Sequence, residues 1–269
     1  MTYVDIVPFR CGRFAEHQPI QGPHEYALPE GVGHRVYKHL WWRLHEELRM
    51  TSVLTSVATI ETLADLLEQL GGIAPERVRF RPPPGTATEK DMLEVEAHED
   101  RLCELVDGVL VEKAMGWRES LLASVLITIL SNFVRPRNLG LVTGEAGMVR
   151  LASGLVRIPD VAFVSWDRIP NRRVPSDPIP ALAPDLAVEV LSAGNTPGEM
   201  ARKRQEYFAA GVRLVWLVDP EARTVEVYTD PHQSTVWHEA DTLEGDAVLP
   251  GFALPLRELF AELDRQGNN

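Results

Sequence analysis

Two carboxylates in apolar surroundings are the residues of this sequence best placed to do chemistry. Asp160 follows Pro159 at the start of the apolar run 161–164, and Glu189 lies inside the apolar segment 186–191. A charge in so apolar a strand is costly to bury unless it is paired or binds a metal ion. Directly opposed residues on paired strands have Cβ atoms about 5 Å apart, close enough for two carboxylates to hold one cation.

Each acid also has an ordinary structural explanation, and a third acid competes with them. Asp160 alone is typical of a turn residue before a strand, and Glu189 alone is as typical of an ion pair with an arginine. Asp185 also follows a proline, but it lies four residues before Glu189 on the same strand face. At about 3.3 Å per residue the two are roughly 13 Å apart. We therefore interpret Asp185 as a strand-start residue.

The distribution of histidine excludes several other chemistries in the middle of the chain. All eight histidines lie outside residues 99–231, so this segment cannot build a Ser-His-Asp or Cys-His triad. Only Cys103 is available there as a soft zinc ligand, and neither a P-loop nor a dinucleotide-binding glycine motif occurs. Carboxylates are hard oxygen donors, which favours Mg²⁺ or Mn²⁺.

Strands that would position these acids follow from short apolar runs. Asp107-Gly108 separates residues 102–106 from residues 109–112, which predicts a hairpin with a two-residue primed turn. A run without interruption is typical of a strand buried on both faces, as in residues 186–191. The further predicted strands cover residues 139–143, 147–151, 156–164, 212–218 and 224–229, before a last pair of strands.

Two helices flank the predicted acids, and a third closes the chain over residues 256–263. Apolar spacing predicts a helix over residues 118–134. Thr196 is a natural N-cap for the next one, Glu199 would complete a capping box, and Gly211 ends that helix.

The order of elements predicts an α/β sandwich with a central mixed sheet. A proline run after Arg81 indicates a linker. We accordingly divide the chain into an N-terminal extension, residues 1–97, and a main domain, residues 98–269. The extension is expected to be mainly helical, with helices over residues 34–50 and 60–70, and nothing in its sequence indicates its role.

Composition limits the possible settings and partners. The formal net charge of −12 weighs against a protein that coats nucleic acid, but not against an enzyme that touches DNA through one local patch. No run approaches the roughly 20 apolar residues of a membrane span, and the N-terminus has no pattern of a secretory signal. With only two cysteines at unrelated spacing, the sequence predicts a cytoplasmic protein that does not enter a membrane.

The ordered motifs resemble the PD-(D/E)xK nuclease superfamily, and more closely its bacterial branch of Uma-type restriction endonucleases. The resemblance covers roughly residues 100–265 and implies a restriction-endonuclease-like sandwich, leaving the extension unexplained. The segments that carry it are residues 104–108, 158–164, 183–192, 210–212, 215–220 and 249–252, together with Lys203 and Tyr207.

The resemblance implies that Asp160, Glu189 and the carbonyl of Val190 hold the metal ion. The lysine expected two residues after the glutamate is Leu191 here. In the Uma-type branch this role lies on the following helix, which indicates Lys203. Helical geometry does not separate it from its neighbour Arg204, but a lysine pKa can fall on burial whereas arginine stays charged.

Weaker candidates surround this set. Glu119 is a possible outer-shell ligand, since the fold often has an acid there, although acids are also favoured in the first turn of any helix. Glu199 is better explained by its capping box, and Tyr207 lies one helical turn from Lys203. Arginines near the site are candidates for gripping backbone phosphates: Arg157, Arg202 and Arg204.

These features together predict a metal-dependent endonuclease that hydrolyses DNA phosphodiester bonds with Mg²⁺ or Mn²⁺. One alternative is a catalytically inactive nuclease-fold module that binds nucleic acid or protein. Another is a different metal hydrolase acting on RNA or a small phosphoester. Trp41 and Trp42 leave a homodimer open, although burial within the monomer is the commoner fate of such residues.

Overall fold

A computed structural model describes residues 60–267, which belong to a compact unit that starts at Ile60. The helix predicted over residues 34–50 lies outside the described residues. The helices are α1 (Leu63–Gln69), α2 (Glu89–Glu99), α3 (Trp117–Val134), α4 (Pro197–Ala209) and α5 (Leu256–Ala261). The strands are β1 (Cys103–Val106), β2 (Val109–Glu112), β3 (Gly140–Gly144), β4 (Val149–Ala152), β5 (Leu155–Arg157), β6 (Val161–Ser165), β7 (Leu186–Val190), β8 (Leu214–Asp219), β9 (Thr224–Tyr228), β10 (Ser234–His238), β11 (Thr242–Glu244) and β12 (Ala253–Pro255).

A six-stranded mixed sheet forms the centre, with strand order β10-β9-β8-β7-β6-β3. β7 and β8 run parallel, because α4 connects them as a crossover, and the other neighbours are antiparallel. A smaller antiparallel sheet has the order β2-β1-β5-β4, and β11 pairs with β12. The predicted central mixed sheet is thereby confirmed.

α3 covers one face of the central sheet. Leu122, Leu126, Leu130 and Val134 recur every four residues on its buried side and pack with core residues of β6, β7 and β8. Within residues 60–267, α3 is the one helix whose length and apolar composition would suit a membrane span, a property that core helices of globular proteins share.

The prediction of one continuous strand over residues 156–164 is wrong. β5 ends at Arg157 in the smaller sheet, and β6 starts at Val161 in the central sheet. Pro159 lies between them, where its missing N–H removes a hydrogen bond that a continuous ladder would need. Asp160 therefore lies where the chain passes from one sheet to the other.

Residues 60–97, assigned to the extension by the sequence, pack against the smaller sheet. Leu66 of α1 and Leu70, directly after it, share a hydrophobic cluster with Val109 and Val111, and in α2, Met92 packs in a second cluster with β1. No break in packing marks residue 98, and it stays a prediction that residues 98–269 form a separate domain.

Asp185 has the structural role expected of a strand-start residue. It immediately precedes β7, and its side chain is nearly fully buried. The Ser165 amide donates to one carboxylate oxygen at 2.7 Å, while Arg168 and Arg213 each donate to the other, with shortest distances of 2.7 Å. The Asp185 carboxylate thus connects the end of β6 and the residue before β8 to the start of β7.

We predict that Gly108→Ala destabilises the protein more than Gly154→Ala. Both glycines have left-handed backbone, with φ of 74° and 73°, so alanine costs about 1–2 kcal/mol at either position. A Cβ on Gly108 would also lie 2.6 Å from the Gly85 carbonyl carbon, whereas one on Gly154 meets nothing within 4 Å. That overlap adds roughly 1–3 kcal/mol. Equal losses in urea unfolding would contradict this packing.

Asp185→Asn should make the free energy of unfolding less dependent on pH in acid. Burial, the largest influence, raises the pKa of Asp185, but the Ser165 amide and the two guanidinium groups lower it below its ordinary 3.8. Since the folded pKa is the lower one, the contribution is present above the unfolded value and is lost as pH falls through the folded value. Asp167→Asn, on an exposed pair with Arg172, is the control; a wild-type pH slope in Asp185→Asn would refute the assignment.

Candidate functional site

Asp160 and Glu189 meet on one face of the central sheet. The antiparallel register of β6 and β7 pairs Val161 with Val188, and continuing it by one residue sets Asp160 opposite Glu189. The amide of Val190 donates to Asp160 Oδ2 at 2.6 Å. Because Val161 and Val188 face the α3 side, the two carboxylates point to the opposite side, towards α4 and the smaller sheet.

α4 brings an amine and a phenol to Glu189. Lys203 Nζ lies 3.1 Å from Glu189 Oε2, and the Tyr207 hydroxyl donates to Glu189 Oε1 at 2.5 Å. The two side chains are four residues apart and therefore share one face of the helix. Arg204 instead lies with its guanidinium 4.3 Å above the Tyr228 ring. Of the two cations that the sequence left open, Lys203 is the one that reaches the acids.

Glu104 is a third buried carboxylate at this site, and the sequence analysis did not select it. It is fully buried in β1, and its Oε1 lies 3.0 Å from Lys203 Nζ. Arg157 donates to Glu104 Oε2 at 2.7 Å, and the Ile158 amide donates to Oε1 at 3.1 Å. A glutamate inside an apolar strand is the same signal that identified Glu189, so the sequence contained the information.

Lys113 is a second amine that the sequence analysis missed. It follows β2 directly, and its Nζ lies 2.7 Å from Asp160 Oδ1 while donating to the Ile158 carbonyl at 2.6 Å. Apart from this ion pair, Asp160 Oδ1 has no hydrogen-bond partner. No spacing rule relates the end of a hairpin to an acid 47 positions later, because only the tertiary fold brings them together.

The predicted phosphate-gripping arginines are all engaged within the protein. Arg157 is buried between Glu104 and Glu206. Arg202 pairs with Glu206 and Asp107, and Arg204 donates to the Pro231 carbonyl in addition to its contact with Tyr228. Each of these three guanidinium groups therefore already has a partner within the protein, although Arg204 also lines a cleft with Leu191.

Burial and the neighbouring charges shift the pKa values of Glu104 and Glu189 in opposite directions. Burial, the largest influence, raises the pKa of Glu104, but Lys203, Arg157 and Lys113 outweigh it and hold that pKa at about 2. Burial also raises the pKa of Glu189, and the nearby Asp160 adds to this, although Lys203 opposes it. Glu104 is therefore the firmly ionised partner of the lysine.

Lys203 remains protonated, contrary to the expectation that burial would lower its pKa. Burial is the largest single influence and acts in that direction, but the carboxylates of Glu104 and Glu189 together raise the pKa above its ordinary value. Lys203 consequently acts as a fixed cation and not as a proton acceptor.

The weaker candidates Glu199 and Glu119 lie in different surroundings. The Thr196 hydroxyl caps α4, but the predicted capping box is incomplete because the Glu199 carboxylate instead binds Arg77 through two hydrogen bonds of 2.7 and 2.8 Å. Glu199 lies close enough to Lys203 to raise its pKa. Glu119 lines a cleft with Leu191, and the lining of that cleft includes neither Asp160 nor Glu189.

The residues present fit a hard divalent cation. Among residues 60–267 there is no group of three or more His, Cys, Asp or Glu side chains suited to a metal ion. Mg²⁺ needs fewer, because it commonly binds through one or two carboxylates and keeps several waters. Apart from its ion pair with Lys113, Asp160 Oδ1 is buried without a hydrogen-bond partner, and Glu189 lies on the opposed strand, so these acids, with the Val190 carbonyl, are the predicted ligands.

Comparisons with known proteins agree with this architecture. One similar solved structure is the crystal structure of a putative nuclease belonging to DUF820 from Anabaena variabilis ATCC 29413. The two sequences are 22% identical, and the two structures superpose with a TM-score of 0.55. The alignment covers 61% of this chain and 92% of that one, which confirms a nuclease-type fold. No curated protein matches the sequence.

The family comparison reaches the same group as the motifs. The profile of the family described as "Uma2: Putative restriction endonuclease" matches residues 89–257, more than half of the chain. The matched region includes the hairpin, both central acids and α4. The chain therefore belongs to the Uma2 restriction endonuclease family.

Proposed function

We propose that this protein is a divalent-metal-dependent endonuclease that hydrolyses phosphodiester bonds in DNA. The observation that carries the proposal is the convergence of Asp160 and Glu189 from neighbouring strands, beside the Lys203 amine. Family membership supports a nucleic acid as the substrate. The cytoplasmic location and a homodimer, both expected from the sequence, stay predictions.

Asp160, Glu189 and the carbonyl of Val190 would hold Mg²⁺ or Mn²⁺. Such an ion, when bound, polarises a phosphate and acidifies a water molecule. The Tyr207 hydroxyl, which donates to Glu189 Oε1, fixes the orientation of that carboxylate. The Val190 amide does the same for Asp160 Oδ2, so that a metal ion would bind Oδ1 in place of the Lys113 ammonium group.

Lys203 would stabilise negative charge that develops on the phosphate. Its ammonium group is held between Glu104 and Glu189, so it needs little rearrangement when charge develops near it, which is the basis of electrostatic catalysis. Because the carboxylates keep Lys203 protonated, Lys203 would not accept the proton of the attacking water.

An inactive nuclease-fold module is the second candidate, and one observation favours it. Both central acids already have a cationic partner inside the protein, Lys113 for Asp160 and Lys203 for Glu189. A protein that had lost its metal could keep the fold with this internal neutralisation. Such a protein would bind nucleic acid or another protein without cleaving it.

We expect the wild-type protein to nick supercoiled plasmid DNA with Mg²⁺ or Mn²⁺ and not with EDTA. Asp160→Asn and Glu189→Gln should each lower the cleavage rate at least about 100-fold, since even outer-shell changes at metal sites cost 10- to 100-fold. Asp185→Asn is the matched control, because it alters a buried acid of the same sheet that binds only protein groups. This control should retain cleavage at temperatures where it is folded.

The outcomes separate the candidates. Equal cleavage by wild type and both variants would contradict the assignment of Asp160 and Glu189. Binding without cleavage under any metal would favour the inactive module. Cleavage of RNA or a small phosphoester, with plasmid DNA intact, would keep these metal ligands and change the substrate.

A further inference from the structure

Lys113 differs from Lys203 in how firmly it is held. Lys203 Nζ lies between two carboxylates, at 3.0 Å from Glu104 and 3.1 Å from Glu189. Lys113 Nζ donates one hydrogen bond to the Ile158 carbonyl and forms an ion pair with a single carboxylate oxygen, Asp160 Oδ1, at 2.7 Å. Since an ammonium group has three donors, Lys113 keeps one of them uncommitted beside the oxygen that a metal ion would use.

We propose that Lys113 is a second active-site amine, which binds the scissile phosphate once a divalent cation occupies Asp160. The proposal rests on the nuclease function proposed above. Without a metal ion, Lys113 neutralises Asp160. With one, repulsion between like charges moves its ammonium group from Oδ1 towards the phosphate, while the bond to the Ile158 carbonyl keeps it nearby. In this role Lys113 binds the phosphate through its N–H groups and transfers no proton.

The position of Lys113 in the fold supports this role. After it, the chain becomes progressively more exposed from Ala114 to Trp117. Ala114 packs against the loop that follows β7, since a Cβ on Gly194 would lie 3.0 Å from that of Ala114. The same loop lines a cleft of about 610 Å³ with Leu191, Ser192 and Asn195, within the size range of small-molecule sites. Lys113 thus contacts Asp160 and directly precedes a residue that packs against a loop of this cleft.

Charge supports the same assignment. The arginines that could have met the phosphate are paired within the protein, and Lys203 is tied to two carboxylates. A metal ion on Asp160 and Glu189 would compete with both lysines, but Lys203 would keep Glu104 as its ion-pair partner, whereas Lys113 would keep only the Ile158 carbonyl. Its release requires no other ion pair of the cluster to break.

The test compares Lys113→Met, Lys113→Arg and Lys203→Met with the full-length wild type. Without metal, Lys113→Met leaves Asp160 without its counter-ion, so its melting temperature should fall, and Mn²⁺ should raise it by more than it raises that of wild type. In cleavage of plasmid DNA with Mn²⁺, kcat should drop by about 100- to 1000-fold, as on loss of one transition-state donor. Lys113→Arg should retain more activity than Lys113→Met.

Lys203→Met provides the contrast, because it leaves Glu104 and Glu189 buried and unpaired. Its melting temperature should fall with and without Mn²⁺. If Lys113→Met instead loses Mn²⁺-dependent stabilisation, Lys113 has only a structural role and the proposal is overturned. Wild-type kcat in Lys113→Met, with wild type active, overturns this proposal alone. A wild type that cleaves no nucleic acid overturns both the proposed function and this role.

Discussion

Mutual neutralisation of buried charges between the two sheets is the interaction on which this structure depends. Glu104 from the smaller sheet and Glu189 from the central sheet share the Lys203 ammonium. Arg157 also forms an ion pair with Glu206 of α4, and Lys113 forms one with Asp160. Removing one partner from such a network costs about 3–5 kcal/mol, because an uncompensated charge remains buried. The ion pairs of the candidate site thus also connect the two sheets.

This connection between the sheets explains why residues distant in sequence contact one another at the candidate site. The passage from β5 to β6 carries Arg157, Ile158 and Asp160 in succession, and each contacts a different part of the cluster. The hairpin supplies Glu104 at one end and Lys113 at the other. Any motion of the smaller sheet against the central sheet would therefore change the distance between the acids and both amines.

Much of this arrangement followed from local sequence patterns. Apolar runs located β7, which carries Glu189, and β6, which directly follows Asp160. The turn at Asp107-Gly108 located the hairpin, since both residues have positive φ. The contacts between elements could not be predicted from these local patterns. Burial of Glu199 against Arg77 displaced a capping box that local rules favoured, and the amine of Lys113 reaches Asp160 only through sheet packing. Local chemistry predicts elements, whereas the choice of ion-pair partner depends on tertiary distances.

The most direct test of the central claim is anomalous diffraction from crystals grown with saturating Mn²⁺. The account predicts one strong peak between Asp160 and Glu189, within about 2.0–2.3 Å of an oxygen of each, as expected for hard oxygen ligands. The Lys113 ammonium group should then have left Asp160 Oδ1. A structure in which both lysines keep their carboxylates at saturating Mn²⁺, with no peak between the acids, would contradict it.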